Sequence, residues 1–228
     1  MALAPANRDS AAHWARTTLP HAPTLIRFRW RYQDERVKYA GRGTLRIAPL
    51  DSLRFDYVGP LGLGSGAAVV IGDSVLWADP EKDFRSLVPA IPMLWAAFAM
   101  ARPPADDANV LGTQLVDSVR HTRRVVWRFA QPQDTLDYVV TPPDSAGRGG
   151  GAGGAGGAGG AGGAMLEAEW RRRGKMVARS RSTLDTLAHA ANARVEFPQA
   201  SGGARFELTV VAVDTAQVFA PALWRSRR

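Results

Sequence analysis

Histidines, a glycine-spaced loop, paired carboxylates and arginine runs are the places in this 228-residue chain where chemistry could reside. His13, His21, His121 and His189 have none of the two-residue or four-residue spacings at which one strand or helix face presents two imidazoles to an ion, so no metal site is read. Gly62, Gly64 and Gly66 echo a dinucleotide fingerprint, but the residues after them, Ala68-Val69-Val70-Ile71, read as a strand. A phosphate would need a helix N-terminus there. Ser74 follows Gly72-Asp73 with Leu76 where a nucleophile elbow needs its second glycine. Asp106-Asp107, and Asp79 with Glu81, fall in turn contexts where carboxylates are capping and solvated groups. The reading is therefore of a protein that is not an enzyme and uses no cofactor. Arg171-Arg172-Arg173 and the basic tail 225–228 attract anions, but the aromatic residues alternate onto the opposite strand face. That separation removes the stacking platform a single strand of nucleic acid would need, and no nucleic acid is expected.

What remains is apolar. Phe28, Trp30, Phe55, Tyr57, Trp77, Trp127, Tyr138 and Trp170 fall on the apolar face of strands, and Trp95 and Phe98 on a helical segment. Two explanations stand side by side: core packing alone, or core packing around a groove that takes acyl chains without specific polar contacts.

The elements that would position these residues are legible as alternation. Ile26, Phe28, Trp30 and Tyr32 point one way while Arg27, Arg29 and Arg31 point the other, the period of a half-buried strand. The same pattern recurs around Arg46, around Arg54 and Asp56, in 124–129, 136–140, 166–171 and 205–210. With the shorter runs 67–71, 74–78, 176–183 and 193–197 it predicts roughly ten or eleven strands in an antiparallel meander. A sheet with one charged and one aromatic face must cover the second or curl around it. The strongest helical candidate for that cover is 92–101, where Pro92 suits a first turn and Pro103-Pro104 ends it. Residues 146–164, a run of Gly-Gly-Ala repeats, are read as a disordered hairpin expansion inside one domain spanning 25–224. The first 24 residues are read as a flexible segment outside it.

Composition narrows the setting. The 29 basic and 21 acidic residues give a net charge of +8, and Lys38, Lys82 and Lys175 are the only lysines. The absence of cysteine excludes disulfides, thiolate ligands and cysteine-linked lipid anchors. The longest apolar stretch, 87–101, is interrupted by Pro89 and Pro92 and is shorter than the about 20 residues of a bilayer-spanning helix. Met1 to Thr18 shows no apolar core of an export signal, with Arg8, Asp9 and Arg16 interrupting it.

Between Gly41 and Leu63 the motifs Gly43-Thr44-Leu45-Arg46-Ile47, Leu53-Arg54-Phe55-Asp56 and Pro60-Leu61-Gly62 follow one another around a Pro49-Leu50-Asp51 turn. This succession resembles the LolA/LolB-like superfamily of periplasmic lipoprotein carriers and outer-membrane-associated relatives, and the similarity extends from about Leu25 to Trp224. The resemblance implies an unclosed antiparallel β-barrel with one or two helices over its apolar concave face. It implies a non-catalytic carrier or acceptor, a monomer, that shields lipoprotein acyl chains or lipids at the periplasmic face of the outer membrane. The ten aromatic residues named above would line its cavity. Leu61, with Leu63 beside it, matches a leucine that the acceptor branch presents to the membrane, implying peripheral membrane contact. The alternative is an envelope assembly protein with a filled barrel that meets anionic partners through its arginine-rich outer face.

Overall fold

The structure, a computed structural model, describes residues 3–48, 51–60, 64–88, 90–117, 122–142, 164–185, 189–199, 203–215 and 218–225. The alternating segments form strands β2 (Thr24–Gln33), β3 (Lys38–Ala48), β4 (Ser52–Val58), β5 (Ser65–Ile71) and β6 (Ser74–Asp79). After a crossing segment come β7 (Asn109–Asp117), β8 (Thr122–Ala130), β9 (Asp134–Thr141), β10 (Met165–Arg172), β11 (Lys175–Leu184), β12 (Ala190–Phe197) and β13 (Ala204–Asp214). A two-residue strand, β1 (Ala4–Pro5), precedes them.

All thirteen lie in one antiparallel sheet, in the order β1-β7-β8-β9-β10-β11-β12-β13-β2-β3-β4-β5-β6. The sheet curls without closing. Its edges are β6 on one side and β1 with β7 on the other, and the chain passes from edge to edge through residues 80–108. That crossing carries helices α2 (Glu81–Leu87) and α3 (Ile91–Ala97), with α3 packed against β10, β11 and β12. The 92–101 prediction thus corresponds to α3, which stops earlier. Ala99 adopts a left-handed φ of 60°, and the Met100 and Ala99 amides donate to Trp95 O and Ala96 O, a closing turn that satisfies carbonyls at the helix end.

Three features differ from the sequence expectation. Residues 3–24, set aside as a flexible segment, contain β1 and helix α1 (Arg8–Thr17), whose Ala11 and Ala15 are fully buried. Asn7 caps α1 by accepting from the Ser10 amide at 2.9 Å. The apolar face of α1 consists largely of alanines, which is why it carried little hydrophobic signal. Strand β7 adds to the expected number because Gly112 and Gln114 break its alternation. Trp77, expected on the apolar face, lies on the convex face. A bulge lets Leu76 and Trp77 share one partner, since Val69 faces Trp77 but Val70 faces Val75. The added residue turns Trp77 outward, under the Arg54 guanidinium 5.4 Å from its ring.

Candidate functional site

The inner face of the sheet is aromatic, as its alternation requires, and the crossing segment occupies it. Trp95 is completely buried, its indole N–H donating to Gly72 O at 2.9 Å. Phe28 stacks on Phe55 at 5.6 Å and meets Phe98 edge-on at 5.2 Å, so strand and helix aromatics form one cluster. Trp30 lies against Tyr57 and Phe206. On the other flank Trp14 of α1 stacks on Trp127 at 6.0 Å and meets Tyr138 at 5.7 Å. Trp170 is half-buried at the end of β10, with Arg172 over its ring at 4.9 Å.

A buried cation ties this cluster together. The Arg102 amide donates to the Tyr138 hydroxyl at 3.0 Å, and its guanidinium lies 5.0 Å from the Trp95 ring and 3.2 Å from Asp73. Burial pushes the Tyr138 phenol well above its usual range, with Asp73 adding to the rise. The Tyr57 phenol is pushed up to about 12, by burial first and by the charges of Asp83 and Asp79 after it. Both remain neutral hydrogen-bonding or packing groups at physiological pH, and neither is poised to move a proton. Among the described residues no group of three His, Asp or Glu side chains stands together as a metal set.

Space remains at one end of the concave face. A cavity of about 400 Å³ opens between the C-terminal end of α1, strands β2 and β3, and the crossing segment. Ile26, Ile47, Phe98, Met100 and Ala190 give it apolar walls; Thr17, His21, His189 and Thr215 bring polar groups to it. Three of the lining hydroxyls are engaged by the protein itself, Thr17 Oγ donating to Trp14 O at 2.7 Å. Thr18 Oγ donates to Ala15 O at 2.7 Å and accepts from the Ala101 amide at 2.8 Å, and Thr24 Oγ donates to Ala22 O at 2.9 Å. The site can therefore hold an apolar chain while leaving polar contacts to its histidine-bearing mouth.

Of the aromatic residues singled out from the sequence, Phe98 lines this cavity. Phe28, Trp30, Phe55, Tyr57, Trp95 and Tyr138 are buried in the surrounding core, with Trp127 and Trp170 packed against it and Trp77 outside. The lining residues that sequence reasoning did not single out for binding include those at the end of α1, and His189 and Ala190 at the start of β12, where no periodicity marks them. Leu61 and Leu63 lie outside the described residues; between β4 and β5 the Gly59 amide donates to Gly64 O at 2.8 Å.

No family model matches the chain, and no curated protein matches it. Solved structures do. A LolA-superfamily protein from Nitrosomonas europaea superposes over 97% of this chain and 98% of its own with a TM-score of 0.58 at 11% identity. An outer membrane lipoprotein-sorting protein domain from Vibrio parahaemolyticus covers 96% of this chain and 100% of its own, with a TM-score of 0.54 at 9% identity. A DUF1329 family protein from Desulfovibrio piger covers 95% of each chain with a TM-score of 0.50 at 8% identity. At such identities the likeness concerns architecture. The unclosed antiparallel sheet, the helices against its concave face and these three superpositions together show that the chain has a LolA-like fold.

Proposed function

We propose that this protein is a non-catalytic carrier that binds an acyl chain, free or attached to a lipoprotein, at a bacterial envelope membrane. The observation that carries the reading is the apolar cavity of about 400 Å³ at the open end of the concave face. Support for the setting comes from the fold it shares with a lipoprotein-sorting domain. Its volume is near the low end of the roughly 300 to 1,000 Å³ of small-molecule sites, which suits one chain more than several. Burying each methylene contributes about 0.8 kcal/mol, so apolar contact alone supplies useful affinity. A ligand with several chains requires α1 and the crossing segment to move away from the sheet. Leu61 and Leu63, which the sequence resemblance matches to a membrane-presented leucine, are the groups that would touch the membrane during transfer.

Native mass spectrometry of the purified protein, before and after mild organic extraction, tests the reading. A co-purifying acyl species, or saturable uptake of a fluorescent fatty acid by extracted protein, supports it. A clean apo mass unchanged by added lipid rejects it. A second reading is favoured by one observation: Trp95 and Phe98 already occupy the concave face, as in a barrel filled by its own side chains. A clean apo mass would transfer the weight to that reading, an assembly protein with no lipid cargo.

A further inference from the structure

The convex face of the sheet is laced with arginines, and most of those described meet carboxylates. Arg181 pairs with Glu167 at 2.6 Å, Arg128 with Asp137 at 2.6 Å, Arg194 with Glu196 at 2.8 Å and Arg205 with Glu207 at 3.2 Å. Arg46 and Arg54 share Asp56, at 2.6 and 2.8 Å. The stripe where β2 meets β3 breaks this rule. Arg27, Arg29 and Arg42 are exposed, and among the described residues none of the three has an ion pair or a side-chain hydrogen bond.

Their placement is unfavourable for the isolated protein. Arg29 stands directly opposite Arg42 in the strand register, and like charges facing each other across a ladder are destabilising. Arg27 follows two residues along the same face, about 7 Å away. Its cross-strand neighbours are Thr44 and Ala212, neither able to neutralise it. The nearest carboxylate in the cleft, Asp56, is already held by two other arginines.

Between the three cations lies a shallow cleft of about 300 Å³ with Val58 and Val211 in its lining. Val211 is 59% exposed. A bulge in β13 places it there: the register passes from Val210 opposite Phe28 to Ala212 opposite Arg27, leaving Val211 without a partner. A valine projecting among unpaired guanidinium groups combines the two attractions of a lipid surface, headgroup charge and an apolar interface beneath it.

We propose that this β2–β3 stripe docks on anionic phospholipid headgroups, with Arg27, Arg29 and Arg42 meeting phosphates and Val211 entering the interface. An acidic protein would satisfy the charges but gives no role to the projecting valine. The inference does not depend on the carrier reading, since it concerns the opposite face of the sheet from the cavity.

The test is sedimentation of the full chain with phosphatidylcholine vesicles, with and without phosphatidylglycerol, across a salt series. Binding is expected only to the phosphatidylglycerol vesicles and should weaken as salt rises. Replacing the three residues together (Arg27→Gln, Arg29→Gln, Arg42→Gln) should weaken it on the order of a hundredfold. A charge-matched control (Arg179→Gln, Arg181→Gln, Arg194→Gln) removes paired arginines elsewhere and should lose far less. The stripe variant should melt no lower than the parent, since it relieves a repulsion, and should keep its fatty-acid uptake. Absence of phosphatidylglycerol-dependent binding overturns the proposal, as does an equal loss in the control, which would reduce the effect to net charge. Binding of a polyglutamate peptide through the same arginines with no response to vesicles would assign the stripe to an acidic protein instead.

Discussion

Glycine positions in β3 show how closely single residues are constrained. A Cβ at Gly41 would stand 2.0 Å from Val58 O and 2.7 Å from the Trp30 ring; one at Gly43 would stand 2.4 Å from the Phe28 ring. Backbone lies on one side and a buried aromatic on the other, so neither can yield. Gly43→Ala should therefore lower stability by about 3 kcal/mol in chemical denaturation, the upper part of the overpacking range. Tyr57 is constrained differently. Its hydroxyl is buried with no hydrogen-bond partner among the described residues, and its phenol is pushed up to about 12. Below pH 10 the native and unfolded chains both keep this proton. Between about pH 10 and about 12 the unfolded chain ionises and the native one does not, so stability falls as pH rises. Tyr57→Phe should flatten that alkaline limb in pH-dependent melting without loss of stability at neutral pH. Sequence reasoning found these aromatic residues because alternation marks the buried face. It had no means of distinguishing a filled interior from an open one, since Trp95 looks the same whether it lines a cavity or packs beneath Gly72.

At the scale of elements, the strands were the legible part and α1 was not. Strands such as β2 announce themselves by putting arginine and aromatic residues on opposite faces; the buried stripe of α1 is Ala11 and Ala15, whose methyls contribute little pattern. Its place is fixed by contacts distant in sequence. Arg8 donates to the carbonyls of Ala105 and Ala108, and Trp14 stacks against Trp127. Trp14→Ala should cost about 3 kcal/mol, at the low end for tryptophan truncation because the ring is only half-buried. The loss should appear in equilibrium unfolding together with faster hydrogen exchange confined to α1 and the crossing segment that receives Arg8. Uniform loss of protection over the whole sheet would instead mean that α1 unfolds only with the rest of the molecule. The bulge in β6 was equally invisible to alternation, because one added residue reverses the facing of everything beyond it, and Trp77 moved from core to convex face as a result.

For the molecule as a whole, the proposed carrier role raises the question whether a ligand would reach the concave face by opening of α1 or would use the end cavity as it stands. The sheet is open between β6 and the β1–β7 edge, so displacement of α1 would uncover Trp127 and Tyr138. The chain contains no cysteine, which permits a clean cross-link. A Cβ built at Gly112 lies 3.2 Å from that of Ala6, slightly inside the usual disulfide separation, and 3.1 Å from the Trp127 ring, which must shift by a few tenths of an ångström. The double substitution Ala6→Cys with Gly112→Cys would, once oxidised, hold the start of α1 against β7. If the cavity of about 400 Å³ takes one chain without rearrangement, the oxidised protein should bind a fluorescent fatty acid as tightly as the reduced protein. A triacylated lipopeptide exceeds that volume, so its binding should be lost on oxidation and return on reduction. Loss of the single chain as well would mean that every ligand must pass beneath α1, making the helix a gate for all cargo. Retention of both ligands would put the path elsewhere and leave α1 a structural cover, because a ligand of that size cannot share the concave face with a fixed α1 and a crossing segment packed in place.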